Sequence, residues 1–116
     1  MSSSTVERVR EDGGRNGESA KTVALDPATR DFLKALASPG RQEVMMLFAG
    51  GAELSVSEVA ERAGIGQSTA SQQLALLRRG RILTSRREGK IVYHRSDNAG
   101  TAEVLANLQA YLASCC

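Results

Sequence analysis

The sequence predicts a mainly helical domain carrying one β-hairpin, in the order α-α-α-α-β-β-α. Three observations carry that prediction. Apolar residues recur at helical spacing in stretches spread from Leu25 to Ala113. The first three helical stretches each open on a capping signal. Between residues 82 and 95 the pattern changes to β-prone residues on either side of a glycine.

The elements follow in order. Residues 1–22 are Ser, Gly, Glu, Arg and Asn with almost no large apolar groups, and are expected to be a disordered tail ahead of a domain over 23–116. Asp26-Pro27 reads as an N-cap with proline at the first helical position, and Phe32, Leu33, Leu36 and Ala37 supply the helix's apolar face. Ser38-Pro39 repeats the signal for a second helix, with Val44, Met45, Leu47 and Phe48 turned inward and Gly50-Gly51 as its end. Ser55-Val56-Ser57-Glu58 fits a capping box for a short third helix, Val56 to Ala63, with Gly64 just past its end. A fourth helix runs from Gln67 to Arg79, and Gly80 is expected to stop it. The runs 82–87 and 90–95 then flank Glu88-Gly89 as a hairpin. A last helix covers Ala99 to Ala113, with Val104, Leu105, Leu108, Tyr111 and Leu112 on one side.

The totals bound the rest. A chain of 116 residues makes one small domain, for which dimerisation is a common aid to burying a core. With no Trp, two Phe and two Tyr, the core must be mostly aliphatic. No apolar run approaches the roughly 20 residues of a membrane helix, and the N-terminus has no hydrophobic leader, so the expected location is the cytoplasm. The net charge is only +2, but residues 78–95 carry Arg78, Arg79, Arg81, Arg86, Arg87, Lys90 and Arg95 against Glu88 alone. A charge concentrated on one segment points to a polyanionic partner; a solvated basic face is the plainer alternative.

Ala60, Gly64, Ile65 and Ala70 have the spacing of two helices packed at a steep angle. A small residue lies where they meet, a glycine in the turn, and an apolar anchor beyond it. The second of these helices opens Gln67-Ser68-Thr69-Ala70-Ser71-Gln72-Gln73, polar and uncharged. Gln suits adenine edges, and Ser or Thr suits base edges or phosphate. An ordinary hydrophilic helix start would explain the polarity but not the absence of Glu and Lys. Arg78 and Arg79 close the helix, and Arg86, Arg87 and Lys90 sit at the hairpin tip, where a wing would meet flanking phosphate. The expected fold is a winged helix-turn-helix. His94 is given a structural part.

These segments resemble the ArsR/SmtB family of small winged-helix repressors over about residues 25–113. Leu36-Ala37-Ser38-Pro39-Gly40-Arg41 is similar to the family's opening. Glu53 to Ala60 is similar to its entry to the third helix, Gln67 to Leu74 to its recognition helix, and Arg86 to Tyr93 to its wing. The resemblance implies a homodimer that represses an operator and lets go when an inducer binds. Its first and last helices would form the interface, through Phe32, Leu33, Leu36, Val104, Leu105, Leu108 and Leu112.

Two family metal sites are missing. Positions that often hold Cys are Ser55 and Ser57, whose hydroxyls are poor ligands for soft ions. The last-helix zinc positions fall on Asp97, Ala99, Ala110 and Ala113. What remains is Cys115-Cys116, the only cysteines, expected just beyond the last helix. Three readings stay open for them. They could capture trivalent arsenic, antimony or another soft metal ion as inducer; they could sense oxidants through a bond between subunits; or they could be idle thiols. No cofactor is required. The rival function is a winged-helix module that binds protein, though the polar Gln67–Gln73 turn lacks the Leu, Tyr or Trp such docking favours. An enzyme is not expected: one His, no Asp/Glu/His cluster and no phosphate-binding glycine loop leave little to catalyse with.

Overall fold

The computed structural model describes residues 24–115; the proposed tail and Cys116 lie outside them. Five helices and a small antiparallel sheet surround one core.

α1 (Pro27–Leu36) starts where Asp26 Oδ1 accepts from the Thr29 N–H at 2.7 Å. α2 (Pro39–Met46) starts where Ser38 Oγ accepts from the Arg41 N–H at 3.3 Å. The corner between them is closed by side chains of α2. Arg41 donates to the carbonyls of Ala35 and Lys34 at 3.0 and 2.9 Å, and Gln42 donates to that of Leu36 at 2.7 Å. The carbonyls of Ala35 and Leu36 are ones a helix end would otherwise leave unsatisfied, while that of Lys34 also accepts from the Ala37 N–H at 3.2 Å.

α2 is shorter than its apolar pattern suggests. After Met46 the chain tightens, with Leu47 and Phe48 donating three residues back to Val44 and Met45 at 3.0 Å. That turn drives Phe48 into the core, where it is 1% exposed. A 3₁₀ turn, Ala49–Gly51, follows, with Gly50 and Gly51 at φ 76° and 83°.

α3 (Val56–Ala63) and α4 (Gln67–Arg79) match their expected bounds. Both halves of the capping box form: the Glu58 N–H donates to Ser55 Oγ at 3.2 Å, and the Ser55 N–H to Glu58 Oε1 at 2.8 Å. Gly64 takes the left-handed conformation, φ 69°. Ala70, Leu74 and Leu77 hold α4 in the core.

α4 ends at Gly80, as expected, though not through a left-handed glycine. The φ of Gly80 is an ordinary −81°, and the left-handed residue is Arg81, at φ 63°. The Arg81 N–H returns to Arg78 O and the Ile82 N–H to Leu77 O, the two bonds of a Schellman end. Gly80 serves packing instead: a Cβ there would lie 2.9 Å from Phe32 Cα and 3.0 Å from Asp31 O, so glycine lets α4 close on α1.

The hairpin is β2 (Leu83–Glu88) and β3 (Ile91–Ser96), paired from Leu83–Ser96 to Glu88–Ile91. The two turn residues are therefore Gly89-Lys90, one position later than expected. Gly89, at φ 61°, takes the first central place, where a type II′ turn favours glycine. A strand missed by pattern, β1 (Leu54–Ser55), pairs with β3 and gives the order β1-β3-β2.

α5 (Asn98–Cys115) begins where Asp97 Oδ1 accepts from the Gly100 N–H at 2.8 Å, and it reaches Cys115, past the expected end. Its start is tied to the α4–β2 corner. Asp97 N–H donates to Ile82 O at 2.9 Å, Thr101 Oγ1 to Arg81 O at 3.0 Å, and Arg81 Nη2 meets Glu103 Oε1 at 2.9 Å.

The core joins every helix and the sheet through Phe32, Ala35, Val44, Phe48, Leu54, Val59, Leu74, Leu77, Leu83 and Val104, among others. Phe32 and Val104, expected between subunits, are 4% and 0% exposed within the protomer, so that expectation is corrected. They face inward because α1 packs on both α4 and α5. Leu33, Leu105 and Leu112 stay 39–50% exposed, and Leu36 and Leu108 are half-buried.

Candidate nucleic-acid interface

α3, the Gly64 turn and α4 form a helix-turn-helix, with Ala60 and Ala70 buried where the helices meet and Ile65 packed against them. The small side chains allow close approach, and the buried face of α4 leaves its first turn outward. Gln67, Ser68, Thr69, Ser71 and Gln72 are exposed. Gln67 is held at its base, donating from Nε2 to Ser57 Oγ at 2.9 Å. Gln73 stands apart from the rest: it is half-buried, its Oε1 is enclosed without a hydrogen-bond partner, and it lies against the start of α2 near Gly40. Arg78 and Arg79 are exposed in the last turn of α4.

The hairpin extends this surface, and its pleat sorts its side chains. Leu83, Ser85, Arg87, Val92 and His94 alternate onto one face, which begins in the core at Leu83 and His94. Thr84, Arg86, Glu88, Ile91, Tyr93 and Arg95 take the other. His94 is 3% exposed, and burial, reinforced by the charge of Arg78, pushes its pKa below the ordinary 6.5, so it is neutral at pH 7. This fits the structural part assigned to it.

The exposed cations of the hairpin differ in what they touch. Arg86 is occupied: Nη2 and Nε reach Glu53 Oε1 at 2.7 and 3.0 Å, Nη1 reaches Glu88 Oε1 at 3.0 Å, and the guanidinium lies 5.1 Å from the centre of the Tyr93 ring. Arg95 Nε lies 3.7 Å from Glu53 Oε2. The hydrogen bonds from Arg86, helped by the charges of Arg86 and Arg95, hold the Glu53 carboxyl below its usual range. Among the described residues, Arg78, Arg79, Arg87 and Lys90 make no ion pair. Glu53 was not singled out from sequence; its partners are 33 and 42 positions away, joined to it only when β1 pairs with β3.

Among the described residues no three His, Cys, Asp or Glu gather as a metal site. Asp97 is engaged as the α5 cap. Cys115 is exposed at the end of α5, its Sγ 3.6 Å from Leu112 O. No helix among the described residues is long and apolar enough to cross a membrane.

Two helices meeting at buried Ala60 and Ala70 across the Gly64 turn, an outward polar turn and a basic hairpin define a winged helix-turn-helix protein. The family described as "Helix-turn-helix domain", HTH_20, matches residues 24–86, just over half the chain. The chain is 37% identical over 75 residues to a biofilm growth-associated repressor of Xylella fastidiosa, covering 65% of each protein, slightly under two thirds of that relative. It is 36% identical over 76 residues to a Synechocystis protein named a transcriptional repressor SmtB homolog, 64% of this chain and 57% of that one. The solution structure of a homodimeric winged helix-turn-helix DNA-binding domain from Mycobacterium bovis superposes with a TM-score of 0.64 at 30% identity, covering 87% of this chain and 93% of that one. The chain belongs to the ArsR/SmtB family of winged helix-turn-helix proteins.

Proposed function

We propose that this protein is a transcriptional repressor that binds operator DNA as a homodimer and has no catalytic activity. The observation that carries the reading is the outward turn Gln67, Ser68, Thr69, Ser71 and Gln72, polar and uncharged, together with Arg78, Arg79, Arg87 and Lys90, which meet no carboxylate among the described residues. The turn would read base edges in the major groove, with Arg78, Arg79, Arg87 and Lys90 on phosphate. Gln73, half-buried, would brace α4 against α2. Leu33, Leu36, Leu105, Leu108 and Leu112 would meet their copies across a two-fold axis; the homodimeric state of the M. bovis domain supports the pairing of two copies. The repressor names of two relatives support the direction of regulation.

The test is fluorescence anisotropy on duplexes from the DNA upstream of the gene. Gln72→Ala should weaken the bound site by about 1–3 kcal/mol and relax sequence preference, as loss of a base contact does. If Gln72→Ala binds specific and random duplex as the parent does, α4 is not the reading helix.

For the inducer we propose a soft metalloid, trivalent arsenic or antimony, captured by Cys115 and Cys116. Cys115, exposed at the end of α5, and Cys116, next to it in the sequence, support it. Methylarsenite needs two sulfurs; arsenite would take a third from the partner subunit or a small thiol. Titrating each onto the protein–DNA complex should release the parent but not Cys115→Ser/Cys116→Ser. Equal release from both would remove the cysteines from the mechanism, and release by peroxide alone would make the pair a redox sensor.

A further inference from the structure

The hairpin's cations fall into two sets, divided by the pleat and by a carboxylate that is not on the hairpin at all. Arg86 and Arg95 share the outer face with Tyr93, and both reach Glu53, the residue just before β1. Arg87 alternates onto the opposite face, and Lys90 sits in the turn; neither meets a carboxylate among the described residues.

We propose that Glu53 is a positioning residue for DNA binding: it keeps Arg86 and Arg95 off the phosphates and anchors the hairpin so that Arg87 and Lys90 meet them. This rests on the DNA-binding reading above. A guanidinium already bonded to two carboxylates and laid on a ring gains little by exchanging them for a phosphate, and the exchange would leave Glu53 unpaired beside a polyanion. The anchor also spans the sheet. β2 carries Arg86, β3 carries Tyr93 and Arg95, and Glu53 enters from the β1 side, so one carboxylate ties all three strands.

Salt dependence separates a stiffening cation from one that touches phosphate. Each cation on phosphate contributes about 0.9 to the slope of log K against log salt, because it releases a condensed counterion. Arg87→Ala should lower that slope by about 0.9 for each wing. Arg86→Ala should leave the slope unchanged, although it loosens the hairpin. Glu53→Gln keeps the shape and removes the charge. It should steepen the slope by about 0.9 for each guanidinium it frees onto phosphate, raise affinity for random duplex and narrow the preference for the specific site. Glu53→Asp keeps the charge and should restore the parent slope.

The measurement is anisotropy on specific and random duplexes across a salt series, with a thermal melt of each variant to confirm folding. The proposal is overturned if Arg86→Ala flattens the slope as Arg87→Ala does, or if Glu53→Gln leaves slope and random-duplex affinity at the parent's values. A parent that binds no duplex at any salt would instead sink the DNA-binding reading, and this proposal with it.

Discussion

The helix-turn-helix and α5 are built on opposite terms. In α3 and α4 local chemistry accounts for nearly every feature: a two-way cap at Ser55 and Glu58, a left-handed Gly64, small residues at the crossing, and Leu74 and Leu77 sealed beneath. α5 is longer, at 18 residues, yet only Gly100 and Val104 are buried, and Leu105 and Leu112 stand about half exposed. The first region is finished inside one chain. The second spends a long apolar helix on little protomer core, as expected of an element completed by another surface.

Substitutions can break or sharpen that contrast. The largest effect should come from Leu74→Ala, which empties a fully buried site: about 2–5 kcal/mol lost, independent of protein concentration, in denaturant unfolding. Gly80→Ala comes next, at about 1–3 kcal/mol by the same measurement, because the added methyl meets α1 backbone rather than a side chain that can swing away. Ser55→Ala removes one half of the capping box and should cost about 1 kcal/mol. The smallest effect on the protomer belongs to Leu105→Ala, under about 0.5 kcal/mol. Its consequence should appear elsewhere, as a melting temperature that depends more steeply on concentration and a weaker dimer in sedimentation. A Leu105→Ala variant that unfolds like Leu74→Ala would erase the distinction.

The same contrast explains what could be read from the sequence. Caps depend on residues three apart, so Asp26, Ser38 and the Ser55–Glu58 box were legible, and with them the bounds of α3 and α4. What depends on distant partners was not. β1 is two residues long and exists only because β3 lies beside it. The hairpin turn slipped by one residue because Glu88-Gly89 and Gly89-Lys90 are both plausible on local grounds, and strand register decides between them. Helical spacing put Phe32 and Val104 on the same stripes as Leu33 and Leu105, since periodicity marks an apolar face without saying which chain covers it. Gly80 stops α4 as read, but its further value, an absent Cβ against α1, depends on a distant partner, and Arg81 bears the left-handed backbone. Within the candidate interface, the exposed polar turn and the basic residues were legible, but the capture of Arg86 by Glu53 was not, because charge counts along a chain do not reveal pairing across a sheet.

One corner has a mechanical consequence. Residues 81 and 82 join α4 to β2, and both are tied to the start of α5 through Asp97, Thr101 and Glu103. A hinge needs residues free to absorb a change in backbone angles, and these two are fixed by a Schellman end on one side and α5 on the other. α4, the hairpin and α5 therefore meet at a single corner, and a tilt of the long helix would reach the other two through it.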